Sequence, residues 1–503
     1  MANNNPVADQ ENGLEQTTFA EEKPADVPPD GGYGWVCVAC ASVINANSWG
    51  VNSSYGVFLS HYLENDIFVN TTPIEYAFIG GLSMSCCLLI APLVTHLIHL
   101  YGNKVTLFSG VVIQTSSFIG ASFATKKWHI ILSQGVCFGL GMGMIFISCV
   151  GIIPQWFLRR RSIANSIGAA GSGMGGLVYS LAAGAMIPSI GLGWTFRVLG
   201  LLSFSMNVVA ATLLRDRNKA VGSRYRAFHF PLLRRPEFLL LLGWGAFSML
   251  GYVAILFSLP NYARSIGLSA HQGSIVGALL NLGQGLGRPA VGLASDRFGR
   301  INMAAFFTFF CGIVCFAVWI PALNMGVLCF FAILVGTVAG TFWTTVAPVC
   351  AEVLGLQELP GGLTLTWVAL VPPTTVSEPI ALLLKDDSKT SWIYLYAQIF
   401  AGLAYLAAGV CVWLIRGWKI GDNERLEMQK ATSSMVNISG VSQPPKPEIS
   451  LPGNGATNIE KPTADLPITP HNQKPNPSLP ASNSVQIWAL MPLLRRMVSN
   501  SLV

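Results

Sequence analysis

Long apolar stretches alternate with short polar ones along residues 35–415. A helix needs about 20 mostly apolar residues to cross the hydrocarbon core of a bilayer. Twelve stretches meet that requirement: 35–59, 76–99, 105–124, 129–154, 163–187, 192–213, 237–260, 272–294, 301–321, 325–351, 362–384 and 392–415. The spacing predicts an all-α polytopic membrane protein. The longest connection between apolar segments, 214–236, divides them six and six. Two six-helix bundles are therefore expected, over 35–213 and 237–416, joined by a basic linker. Residues 1–34 are expected to be disordered. So is the tail 417–503, where Pro, Ser, Asn and Thr dominate and the one apolar patch, 487–498, is too short to span.

Polar positions inside the apolar stretches are the exceptions that need a reason. In the eighth stretch Ser274, Gly277, Asn281, Gln284 and Arg288 fall at steps of three or four, which is one face of a helix. Arg288 lies eight residues before Asp296, so roughly 12 Å deeper in a continuous helix. A guanidinium at that depth costs about 2.5 kcal/mol or more and by default marks a functional site facing a bundle interior or cavity. Its planar fork suits a carboxylate. Snorkelling to the membrane surface is the alternative. In the first stretch Asn45, Ser48, Trp49, Asn52 and Gly56 also recur at helical spacing, which reads as a cavity wall, with helix–helix hydrogen bonding as the alternative. Arg288, Gln284, Asn281, Asn45 and Asn52 are the expected substrate-binding set. Gly168, Gly171, Gly173, Gly175 and Gly176 crowd the fifth stretch and read as close helix packing. Asn165 fits either role.

Charge settles orientation and excludes other classes. Only 11% of the 503 residues are charged, against about 25% in soluble proteins. The mean hydropathy is +0.52. The formal net charge of +6 sits between apolar runs and forms no separate basic patch, so no nucleic-acid partner is expected. With the N-terminus in the cytoplasm, inside loops carry thirteen basic residues and outside loops five. Both termini are therefore expected to be cytoplasmic. Residues 1–29 hold six acids and one lysine with no apolar core after a basic start, so no cleavable signal peptide is expected. Asn70, in an Asn-Thr-Thr sequon, falls in an outside loop and is a candidate for glycosylation. The 11 cysteines lie within apolar stretches without metal-ligand spacing. No cofactor and no metal are expected, and no paired carboxylates or nucleophile elbow suggests an enzyme.

The two halves carry a faint repeat. HLYGNK (99–104) follows the second stretch and DRFGRI (296–301) the eighth, with Gly102 and Gly299 separated by 197 residues. Asp296, Arg297, Gly299 and Arg300 read as a gating loop, in which glycine allows the turn and Asp296 accepts hydrogen bonds from Arg300 or a neighbouring helix N-terminus. A plain basic inside loop is the alternative. This layout resembles the major facilitator superfamily over residues 30–416. Two further motifs narrow the resemblance. Asp30-Gly31-Gly32-Tyr33-Gly34-Trp35 opens the first stretch, and FLRRRSIAN (157–165) runs into GAAGSG (168–173). Both resemble signatures of the monocarboxylate transporter family in its fungal branch.

The resemblance implies two helical bundles that rock about a central cavity, and an arginine at position 288 that binds a substrate carboxylate. Two positions depart from it. The better-known animal members carry an aspartate where Gln284 stands and a lysine where Ser53 stands, both serving proton-coupled transport. The expected substrate is thus a small organic anion or related metabolite, carried across the cell membrane, and protons stay open as a co-substrate. Export of a fungal secondary metabolite and a transporter-like nutrient sensor are the competing readings. Among other ionisable groups, Glu75, Arg197, Glu352 and Glu378 sit near predicted ends. Tyr252, Phe257, Tyr262, Trp343 and Trp367 are candidates either for packing or for lining a pocket.

Overall fold

The computed structural model describes residues 28–65, 67, 73–222, 230–386 and 392–438. Among these the chain forms helices and no strand. Twelve helical rods follow in order: α1 (34–65), α2 (73–101), α3 (Asn103–Ser122), α4 (Lys127–Trp156), α5 (Arg161–Ile190), α6 (Leu192–Leu213), α7 (Pro236–Ser265), α8 (Ala270–Phe298), α9 (Arg300–Trp319), α10 (Met325–Leu354), α11 (Leu359–Leu383) and α12 (Leu395–Ile438). Eight are long and apolar enough to cross a bilayer, and α2 joins them as a rod bent by 43°. The bend lies at Ile90, just before Pro92, whose ring cannot donate into the helix ladder. The other three, α1, α8 and α11, are interrupted or richer in polar residues. Two of them, α1 and α8, carry the polar faces singled out above.

Helix neighbours repeat with an offset of six. In the first half α1 packs on α5 and α6, α3 on α4 and α6, and α2 on α4. In the second half α7 packs on α11 and α12, α9 on α10 and α12, and α8 on α10. The offset also holds across the halves: α2 meets α11 as α8 meets α5. Gly102 (φ 83°) and Gly299 (φ 94°) make the equivalent turns between α2 and α3 and between α8 and α9. A side chain is strained in that backbone region, so glycine is the residue that permits it. The weak sequence match between 99–104 and 296–301 therefore marks a real structural repeat. The last helix departs from expectation. It continues to Ile438, so the tail expected to be disordered from 417 begins as helix. Asn70 lies outside the described residues.

The glycines of α5 hold the fold together on two sides. A Cβ on Gly171 would come 1.9 Å from the Ser42 carbonyl oxygen of α1, and one on Gly175 would come 2.4 Å from that of Ala46. On the opposite side a Cβ on Gly173 would lie 2.5 Å from the backbone nitrogen of Gly285 in α8. These separations admit hydrogen and nothing larger, as expected where lipid offers no hydrophobic drive and close packing must bind helices.

In α1 the backbone widens into a π-helical turn over Ala46–Gly50. The Asn47 carbonyl oxygen there accepts from Gln114 Nε2 of α3 at 2.6 Å and Ser203 Oγ of α6 at 3.3 Å. Side chains thus satisfy a carbonyl that the widened turn frees, as a bilayer requires. Gly171→Ala is expected to destabilise the protein by about 2 kcal/mol, lowering its unfolding temperature in detergent by several degrees. Gly184→Ala, whose Cβ meets nothing within 4 Å, should leave that temperature unchanged.

Candidate functional site

At one end of the bundles the 296–300 loop closes the seam between the halves. Asp296 lies near the C-terminus of α8 and faces the first turn of α5. Its Oδ1 accepts from the Ser162 backbone N–H at 2.9 Å and its Oδ2 from that of Ile163 at 2.8 Å. These are unpaired donors at a helix N-terminus, where a carboxylate is favoured by both hydrogen bonding and the helix dipole. Arg300 reaches Asp296 only at 3.5 Å. It binds Glu352 Oε1 at 2.7 Å and donates to the Leu158 carbonyl oxygen of the first half. Gly299 makes the turn that turns Arg300 back. Arg297 is exposed, with its guanidinium 5.6 Å from the Phe298 ring, and takes no part in this closure. Further from the loop, Asn165 Nδ2 donates to the Thr344 carbonyl oxygen at 2.6 Å, and Thr95 shares a 2.6 Å bond with Thr364. Both bonds join the two halves.

Behind this seam lies a cavity walled by both halves. Asn45, Trp49, Ser53, Phe146, Asn165 and Ser172 face it from the first half, and Met249, Tyr252, Leu256, Arg288, Trp343 and Thr374 from the second. The wall is mainly apolar and strongly aromatic. Trp49 of α1 meets Trp343 of α10 at 4.8 Å between ring centroids, and Phe146 of α4 stands 5.4 Å from Trp49. Trp367 stacks behind Trp343 at 5.8 Å.

Among the described residues, Arg288 is the only fully charged side chain on this wall. It is 4% exposed. Its Nη1 donates to the Ala169 carbonyl oxygen at 2.8 Å and to Ser172 Oγ, and its Nη2 to Gln284 Oε1 at 2.5 Å. Gln284 Oε1 also accepts from the Tyr252 hydroxyl at 3.0 Å. Every acceptor is neutral, and among the described residues no carboxylate pairs with the guanidinium. Its Nε has no partner. The group fits because Gly340 interrupts α10 beside it: a Cβ there would lie 2.9 Å from Nε.

The sequence-predicted set divides. Arg288 and Asn45 reach the cavity. Gln284 does not line it but orients Arg288. Asn281 lies in the α5–α8 seam, its Cγ 3.2 Å from where a Gly176 Cβ would stand, with its Oδ1 unpartnered. Asn52 turns away altogether: its Oδ1 accepts from Ser83 Oγ at 2.7 Å inside the first half, so its placement on the cavity wall is corrected. The π-helical turn explains the change. It adds to the residues per turn between 46 and 50, so the residue that shares a face with Asn45 and Trp49 is Ser53 rather than Asn52.

Sequence reasoning missed Gly340, Ala169 and Ser172 as the arginine's seat. Ser172 was visible only as part of a glycine run, and the other two carry no chemistry of their own. Of the end-of-helix ions, Glu75 pairs with Lys127 at 2.9 Å, Glu352 with Arg300, and Arg197 lies over Phe123 and Trp194. Tyr262 packs on Trp319 away from the cavity.

Two halves related by a six-helix offset, closed at one end around a central cavity, agree with a family model described as Major Facilitator Superfamily, which matches residues 38–373. This chain belongs to the Major Facilitator Superfamily. It is similar to the probable transporter MCH2 of Saccharomyces cerevisiae, 36% identical over 414 residues that cover 81% of this chain and 87% of that one. It is also similar to the fujikurins efflux protein of Gibberella fujikuroi, 27% identical over 79% of this chain and 86% of that one. Among solved structures, the proton:xylose symporter XylE bound to 6-bromo-6-deoxy-D-glucose shares the fold. Its TM-score is 0.59 at 13% identity, covering 76% of this chain and 95% of XylE. The chain is thus a facilitator-type transporter and not an enzyme. Within this superfamily fold, Gly340→Ala is expected to displace the Arg288 guanidinium and lower substrate flux, measured in vesicles, about 10-fold. The amount of protein reaching the membrane should not change.

Proposed function

We propose that this transporter carries an organic anion with an apolar body across the cell membrane by alternating access, in the manner of the monocarboxylate transporters its motifs resemble. The observation that carries the reading is Arg288, a buried cation on the wall of a cavity shared by both halves, bonded only to neutral acceptors. A charge in hydrocarbon without its counter-charge is costly. An anion entering the cavity supplies that counter-charge, and the apolar and aromatic wall of Trp49, Phe146, Leu256 and Trp343 accommodates the remainder of the molecule. Asn45, Ser53 and Asn165 offer neutral hydrogen-bonding groups on the same wall. No acid stands beside Arg288 where the animal members place one, so a proton that travels with the substrate has no carrier at that position.

Orientation follows from charge. The end that carries Arg159, Arg160, Arg161, Arg297 and Arg300 is the cytoplasmic one by the positive-inside rule, with both termini on that side. The closure built on Asp296 and Arg300 then shuts the cytoplasmic side. Release of Asp296 from the first turn of α5 would let the halves rock open there. Direction of transport is a separate matter. The width of the aromatic wall, together with the efflux protein among the relatives, supports export of a bulkier acidic metabolite as the second reading.

Arg288→Gln is expected to reach the membrane normally and to lose at least about 10-fold of flux of a labelled acid into vesicles. Arg288→Lys should keep part of it, because the point charge remains while the fork is lost. Undiminished flux in Arg288→Gln would remove the proposed role of this residue.

A further inference from the structure

The Asp30-Gly31-Gly32-Tyr33-Gly34-Trp35 motif has no part in the cavity, yet it lies against the turn on which the Asp296 closure depends. Asp30 Oδ1 accepts from the backbone N–H of Leu158 at 2.7 Å, of Arg159 at 2.8 Å and of Arg160 at 3.4 Å. The Asp30 N–H donates to the Trp156 carbonyl oxygen at 3.0 Å. Immediately downstream, Asp296 takes the N–H groups of Ser162 and Ile163, and Arg300 takes the Leu158 carbonyl oxygen. Two carboxylates, one from each half of the protein, thus share a single backbone turn. Five of the six successive N–H groups from Leu158 to Ile163 donate to one or the other.

The two carboxylates differ in what they are fixed to. Asp30 belongs to the same half as the turn. The Tyr33 hydroxyl donates to the Leu213 carbonyl oxygen at 2.6 Å, and the Arg215 guanidinium lies 4.3 Å from the Tyr33 ring centroid. Trp156 Nε1 donates to the Arg215 carbonyl oxygen at 3.0 Å, fastening the turn to the same anchor. Asp30 itself adopts φ 54°, a left-handed conformation that aspartate tolerates and that folds its carboxylate over the turn. Asp296 comes from the other half and must leave when the halves separate.

We propose that Asp30 is a positioning residue for the gate: it holds the 158–160 backbone in the one shape that presents the Ser162 and Ile163 N–H groups to Asp296. It keeps that shape while Asp296 is away, so the closing half finds its receptor already formed. Without Asp30 three adjacent N–H groups lose their acceptor. The turn then has no fixed form, and Asp296 must order it each time it closes. The proposal rests on the rocking motion described above but not on the identity of the substrate.

The test reads the closed and open populations directly on the full chain in nanodiscs, without substrate. Spin-labelled unnatural amino acids replace Tyr101 and Gln357, exposed residues of opposite halves at the gated end, so the native cysteines stay in place. Asp30→Gly, which keeps the left-handed backbone and removes the acceptor, is expected to raise the ratio of long- to short-distance populations about 5-fold or more. Asp296→Ala should do the same. The double variant should shift it no further than the larger single one, because both act through one turn. Where Asp30→Gly does not give monodisperse protein, Asp30→Ala serves as the second variant and should give the same shift. The proposal is overturned if the distances in the Asp30 variants match wild type while Asp296→Ala shifts them. It is equally overturned if the effects of the two substitutions multiply in the double variant, or if Asp296→Ala itself moves nothing. Failure of the Arg288 reading would leave all of these distances untouched.

Discussion

An unpaired charge inside a bilayer must be held by something, and much of this structure is arranged around how Arg288 is held. Its seat is made of neutral parts: a carbonyl oxygen and a hydroxyl from α5, and an amide from its own helix that Tyr252 also engages. Such acceptors satisfy the N–H groups without cancelling the charge. The guanidinium is therefore rigidly placed and still electrostatically incomplete, which is the condition a binding site for an anion needs. Two of its acceptors come from α5, so the seat spans both halves. Any movement of α5 against α8 alters the arginine's bonding, and the Asp296 contact lies on the same pair of helices.

That pair can approach because α5 is built from small residues. Gly171 and Gly175 admit α1 on one side, and Gly173 and Gly176 admit α8 on the other. A side chain on either face would separate one half from its own core or from its partner. At the gated end the contact changes character. Packing of glycine on backbone gives way to carboxylates on backbone N–H groups, which form and break without leaving buried apolar surface exposed. The seam is thus densest around Gly173 and Gly285 and most polar around Ser162 and Asp296.

The twelve rods, their division into halves and the turn at 296–300 were legible in the sequence because each rests on a local pattern: apolar length, basic loops, and a glycine turn recurring near the same place in each half. Arg288 was legible because a cation in an apolar stretch has few structural excuses. The role of Asn52 was misread for a local reason that pattern cannot reveal. A π-helical turn shifts the face by about one residue, and the groups that satisfy its freed carbonyl, Gln114 and Ser203, are far along the chain.

What the sequence determined by itself, then, was the membrane class, the repeat, and the residues whose chemistry is out of place in lipid. The tertiary structure decided which of those residues meet. It seated Arg288 on Ala169 and Ser172, opened room for it at Gly340, sent Asn281 to the seam and Asn52 away from the cavity, and brought Asp30 and Asp296 to one turn. The physical reason is that lipid imposes its demands on every residue separately, so composition and spacing record them. A hydrogen bond between distant helices is recorded nowhere in either partner, and a glycine that makes room for it carries no chemistry to be read.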